Sequence, residues 1–459
     1  MKLIITLFLI GLFGVPVRAA FLADPLVDEL SNGLKVVWFL DDRSPTLDVS
    51  LILPAGYRHD LPGKSGTAEL VGSLLERGAS GLPGEQSQMV DGDTLQIKVH
   101  GLSRDGVPLL DDLAKVALNP DFPPDEIVRE RSQMLHQLSH LDEDKDLTGN
   151  FLYAWFFYAR TPYGRGRSTS AKELNHIRRE DLLRFHQDNF VPSQSLLVIS
   201  GQANRSLLFE KIRGSFGVWP ERTTLSGQGD KKTSQKASRE KVYFKKELRD
   251  SPHSMILVDV PKVSVADVRI GLQFPKIQKA DYYSVVVANA LLGDFFNSRL
   301  NRRIRDKLGL SYAIGSGITL NQEVEVFSIA ALTRNETSAR LIQEIMEVLN
   351  DLKRIPVTED EVETTKKFLK NQFPMTVLTV DAVASRWIAG YLFNMGPQFL
   401  SGFSTEVTRV NVEKVRAVVD RYFDLDRVQT LVVGDAALIK KGLESVQLPK
   451  PKTIKISHL

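Results

Sequence analysis

The stretch Glu180–Gly201, EDLLRFHQDNFVPSQSLLVISG, decides the fold once it is laid beside Glu413–Gly434, EKVRAVVDRYFDLDRVQTLVVG. Each reads as an amphipathic helix ending at an aromatic residue, then a short turn, a strand, and a glycine that opens another helix. Phe190 and Phe423 each stand eleven residues before that glycine, Gly201 and Gly434. Working outward, Leu110 to Leu118 followed by PDFPPDEI matches Leu341 to Leu352 followed by PVTEDEV. Pro124 and Thr358 precede acidic first turns, where a helix is expected to start. Nearer the front of each half, a strand ending at a proline (Leu51–Pro54; Leu272–Pro275) leads into an apolar helix, Thr67 to Leu75 and Tyr282 to Leu292. Three correspondences in one order imply two homologous α+β domains, each a mostly antiparallel sheet covered by helices on one face. Gln96 to His100 and Val324 to Ala330 alternate as half-buried strands do.

Between the halves, Ser226 to Lys241 (SGQGDKKTSQKASREK) is almost free of apolar residues and reads as a linker. The expected division is a first domain over 21–225, a linker over 226–244 and a second domain over 245–459. At the start, Met1-Lys2, an apolar run from Leu3 to Val15 and the small-residue end Pro16–Ala20 read as a leader, residues 1–20, cleaved after Ala19 or Ala20. The run is shorter than the roughly 20 residues that span a bilayer. The mature chain is therefore expected to be exported, with no membrane anchor.

The chain has no cysteine, which removes a lipid anchor, disulfides and thiolate metal sites. Its formal net charge of +3 includes Lys2 and Arg18 of the leader, so the mature chain is almost neutral. No basic field exists to hold nucleic acid. The sequence also lacks GxxxxGK[ST], GxSxG, HExxH and HxxEH.

Gly63–Ala79, GKSGTAELVGSLLERGA, follows Asn32–Val37 and the strand ending at Pro54-Ala55-Gly56. It resembles the zinc helix of the M16 peptidases, the family of insulinase, pitrilysin and the mitochondrial processing peptidase. In that family the helix carries His-x-x-Glu-His, two zinc ligands and a general base, within a frame of the form GxAHxxEHxxxxG. Here Gly66, Ala68, Leu75 and Gly78 keep the frame, while Glu69 and Ser73 stand at the histidine positions and Gly72 at the base position. The family's third ligand is a glutamate within a stretch resembling Val128–Leu138, VRERSQMLHQL, where Gln137 takes its place. A carboxylate, a hydroxyl and a neutral amide do not replace zinc's usual ligands, and without the glutamate a zinc-bound water has no proton acceptor. No metal is expected in this chain.

Ser298–Gly317, SRLNRRIRDKLGLSYAIGSG, resembles the family segment R-(E/D)-K-x-G-L-x-Y, with Arg305 and Tyr312 as the matching pair. In two-component bacterial members one subunit holds zinc and the other offers this pair. The resemblance therefore implies two LuxS/metallohydrolase-like (M16-type) domains and the zinc-free subunit of a periplasmic metalloendopeptidase heterodimer. Its partner would be a homologue bearing HxxEH and zinc, its substrate an unfolded peptide, and its contribution Arg305 and Tyr312 as catalytic residues completing the partner's site. A non-catalytic peptide-binding or assembly scaffold is the alternative. A structural role for the pair would place Arg305 on a basic face with Arg302 and Arg303, and Tyr312 packed on the sheet. His136 and His140, one helical turn apart ahead of Asp142–Asp144, could form a metal cluster but read better as a solvated face.

Overall fold

A computed structural model describes residues 24–78, 84–140, 151–153, 156–158, 161–166, 170–221, 254–446 and 448–455. The expected leader and linker, and Asp142–Asp144, lie outside them.

The first half builds a six-stranded sheet from β1 (Leu26–Glu29), β2 (Lys35–Leu40), β3 (Thr46–Leu53), β4 (Glu85–Val90), β5 (Leu95–Leu102) and β6 (Leu196–Gly201), in the order β1-β2-β6-β3-β5-β4. Only the β2–β6 pair is parallel. Leu47, Val49, Leu51 and Leu53 alternate along β3 and enter one core with Ile97 and Val99 of β5. That core is closed by α1 (Thr67–Gly78), α2 (Gly106–Leu118), α3 (Pro124–Ser139), α4 (Arg179–Asn189) and α5 (Arg205–Phe216). Pro124 is the first residue of α3, where its missing N–H costs nothing.

The second half repeats the plan with β7 (Met255–Asp259), β8 (Val265–Phe274), β9 (Ile314–Thr319), β10 (Glu325–Arg334), β11 (Gln429–Gly434) and β12 (Lys452–Lys455), ordered β12-β7-β11-β8-β10-β9. Strands β7, β11, β8, β10 and β9 take the places of β2, β6, β3, β5 and β4. The outermost strand differs: β1 precedes its neighbour and runs antiparallel to it, whereas β12 comes from the chain end and runs parallel to β7. The longer helices are α6 (Tyr282–Leu292), α7 (Ser338–Arg354), α8 (Glu359–Gln372), α9 (Val380–Leu392), α10 (Val412–Tyr422) and α11 (Ala436–Leu443). Thr358 caps α8 in a reciprocal capping box with Glu361. Among the described residues no helix is long and apolar enough to cross a membrane.

Each sheet carries its own helices on one face, and the second face of the first sheet is covered by the other half of the chain. Val37, Phe39, Ile52, Leu196 and Val198 meet Phe373, Val377, Val383, Ala384, Ile388 and Leu400 in a separate apolar core. Polar ties flank it. Lys98 Nζ lies 3.0 Å from Asp48 and 2.6 Å from Asp381 at the start of α9. At the opposite edge Tyr163 donates to Asp93 Oδ1 at 2.8 Å and accepts the Glu323 N–H at 3.1 Å, while Asp93 Oδ2 accepts the Gln322 N–H at 2.9 Å. Arg58 completes the tie, reaching Asp93, Gln322 and Glu323. These contacts join the first half to the start of α9 and to the turn between β9 and β10 in the second.

Candidate functional site

Helix α1 starts where Asp60, buried, accepts the Gly66 N–H at 2.7 Å and the Ala68 N–H at 2.8 Å. Burial pushes this carboxyl up to about 8, against the pull of the backbone donors that favour its ionised form. The helix buries Ala68, Leu70, Val71, Leu74 and Leu75 and leaves Glu69 and Ser73 half-buried on the opposite stripe. Glu69 stands close enough to Asp60 for like-charge repulsion. Near its end Arg77 pairs with Glu126 and with the buried Glu130 of α3, which ties the two helices together. Gln137 lies two turns further along α3 and is exposed.

At Gly72, which the resemblance aligns with the base, the space is filled by packing. A Cβ placed on Gly72 would stand 2.9 Å from Gln88 Oε1 and 3.0 Å from Val90 Cγ2, both on β4. The space a glutamate would need is occupied by side chains of the edge strand. Zinc does not fit the residues present here: the three positions offer one carboxylate, one hydroxyl and one amide, and β4 closes over the fourth. Among the described residues no group of three or more histidine or carboxylate side chains could hold a metal ion. His136 and His140 stack on each other at 4.2 Å between ring centroids, with His140 Nδ1 turned to the His136 carbonyl at 2.9 Å, so the pair is engaged within its own helix.

The second-half segment is arranged differently. Asn301–Lys307 winds as a π-helix, a form found frequently at functional sites. It unwinds through Gly309, whose φ of +59° is the left-handed conformation glycine adopts without cost. The backbone beyond is pinned to β10. Thr333 Oγ1 donates to the Leu310 carbonyl at 2.6 Å, and Ser311 Oγ stands 2.7 Å from the carbonyls of both Ala313 and Leu332. Between these anchors Tyr312 is 94% exposed. It sits two residues ahead of β9, not on the strand, and the structural role of a ring packed on the sheet does not apply to it. An anchored backbone carrying a large aromatic in water presents that side chain to whatever docks beside it.

Arg305 also separates from its basic neighbours. Arg299 binds Glu361 through two bonds at 2.8 and 2.9 Å, and Arg303 binds Glu344 at 2.7 Å. Among the described residues Arg305 bonds only the adjacent Asp306 through Nε, at 2.9 Å, and its guanidinium lies 3.7 Å from the ring centroid of Phe296. Its Nη2 is closed off from water and has no hydrogen-bond partner among the described residues. Phe296, which sequence reasoning does not single out, is itself 67% exposed. The one trace of it in the sequence is the aromatic pair in GDFFNS, a stretch otherwise composed as a turn.

A family model described as the peptidase M16 inactive domain matches residues 176–369, the span that holds Phe296, Arg305 and Tyr312. The chain is 23% identical over 411 residues to the zinc protease PqqE of Helicobacter pylori, covering 86% of this chain and 89% of that one. It is 20% identical over 415 residues to the uncharacterized zinc protease YmxG of Bacillus subtilis, covering 87% and 96%. Among solved structures, a peptidase M16 inactive domain from Pseudomonas fluorescens superposes with a TM-score of 0.77 at 20% identity, covering 93% of this chain and 99% of that one. A Helicobacter pylori protease superposes with a TM-score of 0.74 at 20% identity, covering 89% and 99%. The α+β fold is thus shared with a solved peptidase M16 inactive domain. Over residues 176–369 the chain matches the M16 inactive-type domain, and its similarity to bacterial zinc proteases supports a relationship to the peptidase M16 family.

Proposed function

We propose that the chain is the zinc-free subunit of a periplasmic two-subunit M16 endopeptidase, binding unfolded peptide and lending Arg305 and Tyr312 to a zinc site on a partner that carries HxxEH. The observation that carries this reading is the exposed Tyr312 on an anchored backbone, in a chain whose own zinc-helix positions hold no zinc ligand set. Zinc on the partner would supply the Lewis acid and the activated water. In this chain the Tyr312 hydroxyl donates to the scissile carbonyl oxygen as charge develops there, and the Arg305 fork takes a neighbouring carbonyl or carboxylate.

The test is peptidase activity of the purified mature chain alone, of an HxxEH-bearing homologue from the same source alone, and of the two together. Turnover only in the mixture is expected. Turnover by the isolated chain, or a mixture no faster than the homologue alone, contradicts the proposal.

A further inference from the structure

We propose that Phe296 gates Arg305: the ring covers the guanidinium, and the arginine reaches a peptide only when the ring is moved aside. This deepens the proposed function and rests on its reading of Arg305 as a peptide-binding group. The usual order of solvation is reversed at this spot. An arginine normally keeps its charged head in water and buries its stem. Here the aromatic ring is 67% exposed while the Arg305 side chain is 19% exposed. The stack at 3.7 Å is attractive, since the ring face is electron-rich. Against it stands Nη2, shut away from water with no acceptor among the described residues, an arrangement that costs free energy until an acceptor arrives or the cover lifts.

The neighbouring arginines carry no such reserve, because Arg299 and Arg303 spend their donors on Glu361 and Glu344. Phe296 sits in the turn between Leu292, the end of α6, and the π-helix that starts at Asn301. Being largely in water, its ring gives up little beyond the stack when it rotates. A peptide carbonyl or carboxylate accepting from Nη2, with an apolar side chain beside it packing on the displaced ring, compensates both losses. The site is accordingly selective for extended peptides that place an apolar side chain next to the group Arg305 holds.

The gate is tested on the intact chain alone by the rate at which phenylglyoxal labels Arg305, located by peptide mass spectrometry. Arg302, with its side chain 55% exposed, is the internal reference. Phe296→Ala is expected to raise the Arg305 rate relative to Arg302 by about fivefold, a factor within the range of one cation–π contact. Phe296→Leu should raise it in the same direction, and Phe296→Tyr, which keeps a ring, should leave it near the parent rate. Equal labelling of Arg305 in the parent and in both ring-deleting variants, or none in any of them, overturns the gate. Neither partner nor peptide enters this measurement, so its failure and the failure of the two-subunit reading are told apart.

Discussion

Tyr163→Phe is the sharpest probe of how the two halves are joined. Tyr163 is fully buried, and its ring lies so close to Gly92 that a Cβ there would stand 2.3 Å from Cδ1; phenylalanine keeps that packing. What it removes is one hydroxyl with two bonds, the donation to Asp93 and the acceptance from the Glu323 N–H, so one first-half carboxylate and one second-half N–H lose a partner. Burial already raises the Asp93 carboxyl, against the pull of Tyr163, Gln322 and Arg58, so a lost donor falls on a group that is poorly solvated. A hydrogen bond to a charged group contributes about 1.5–3 kcal/mol, which sets the expected loss near 2.5 kcal/mol. If the halves unfold together, an unfolding entropy of about 2 cal/mol/K per residue over the folded chain converts this to a fall in Tm of roughly 3 °C. Differential scanning calorimetry of the full chain should show one transition, displaced by that amount. Two transitions of which only one moves, or a single transition displaced by less than about 1 °C, would refute the account of the tie.

Three further outcomes follow from the same structure. Burial works to raise the Glu361 carboxyl, but the Arg299 fork and the Thr358 N–H and hydroxyl outweigh it and hold it at about 2, so the stabilisation is present above about pH 4.5 and is lost as pH falls toward 2. Glu361→Gln should lower stability at pH 7 by about 2 kcal/mol and flatten the acid limb of a denaturation-midpoint profile between pH 5 and pH 2; an unchanged limb would contradict the pairing. Gly72→Glu should lower the urea midpoint by the equivalent of about 2 kcal/mol, because the new side chain must displace Gln88 and Val90 of β4; an unshifted midpoint would mean that β4 is not closed over α1. Gly309→Ala meets no atom within 4 Å of its new Cβ, so its whole effect comes from φ of +59°. It should cost about 1 kcal/mol in chemical denaturation, and a neutral result would place the turn elsewhere.

The internal repeat was legible because helix and strand periods, prolines and the two glycines Gly201 and Gly434 recur in one order, and the two sheets match strand for strand apart from β1 and β12. The covering of the first sheet's second face was not legible. Val37, Phe39 and Ile52 read simply as strand residues, and nothing local states that α9, more than 300 positions later, lies over them. Arg305 and Tyr312 were singled out only through the motif they resemble, as were the departures of Glu69, Gly72 and Ser73 from the zinc-helix pattern. The π-helical winding of Asn301–Lys307, the exposure of Tyr312 and the Phe296 stack depend on packing against β10 and on side-chain direction, which spacing does not encode. Gly72 illustrates the remainder: the resemblance aligns this glycine with the family's base, and the closeness of Gln88 and Val90 to a Cβ there shows why a larger side chain would not fit.

Tyr312 is proposed to act in catalysis beside a partner's zinc and not in holding this chain together. The most direct test is Tyr312→Phe in the mixture of this chain with its HxxEH-bearing homologue, with peptide turnover and thermal stability read on the same samples. With Tyr312 94% exposed, Tm should move by less than about 1 °C, while kcat falls by about 10²–10³. Parental turnover in the variant mixture would contradict the account and leave the chain a peptide-binding or assembly scaffold.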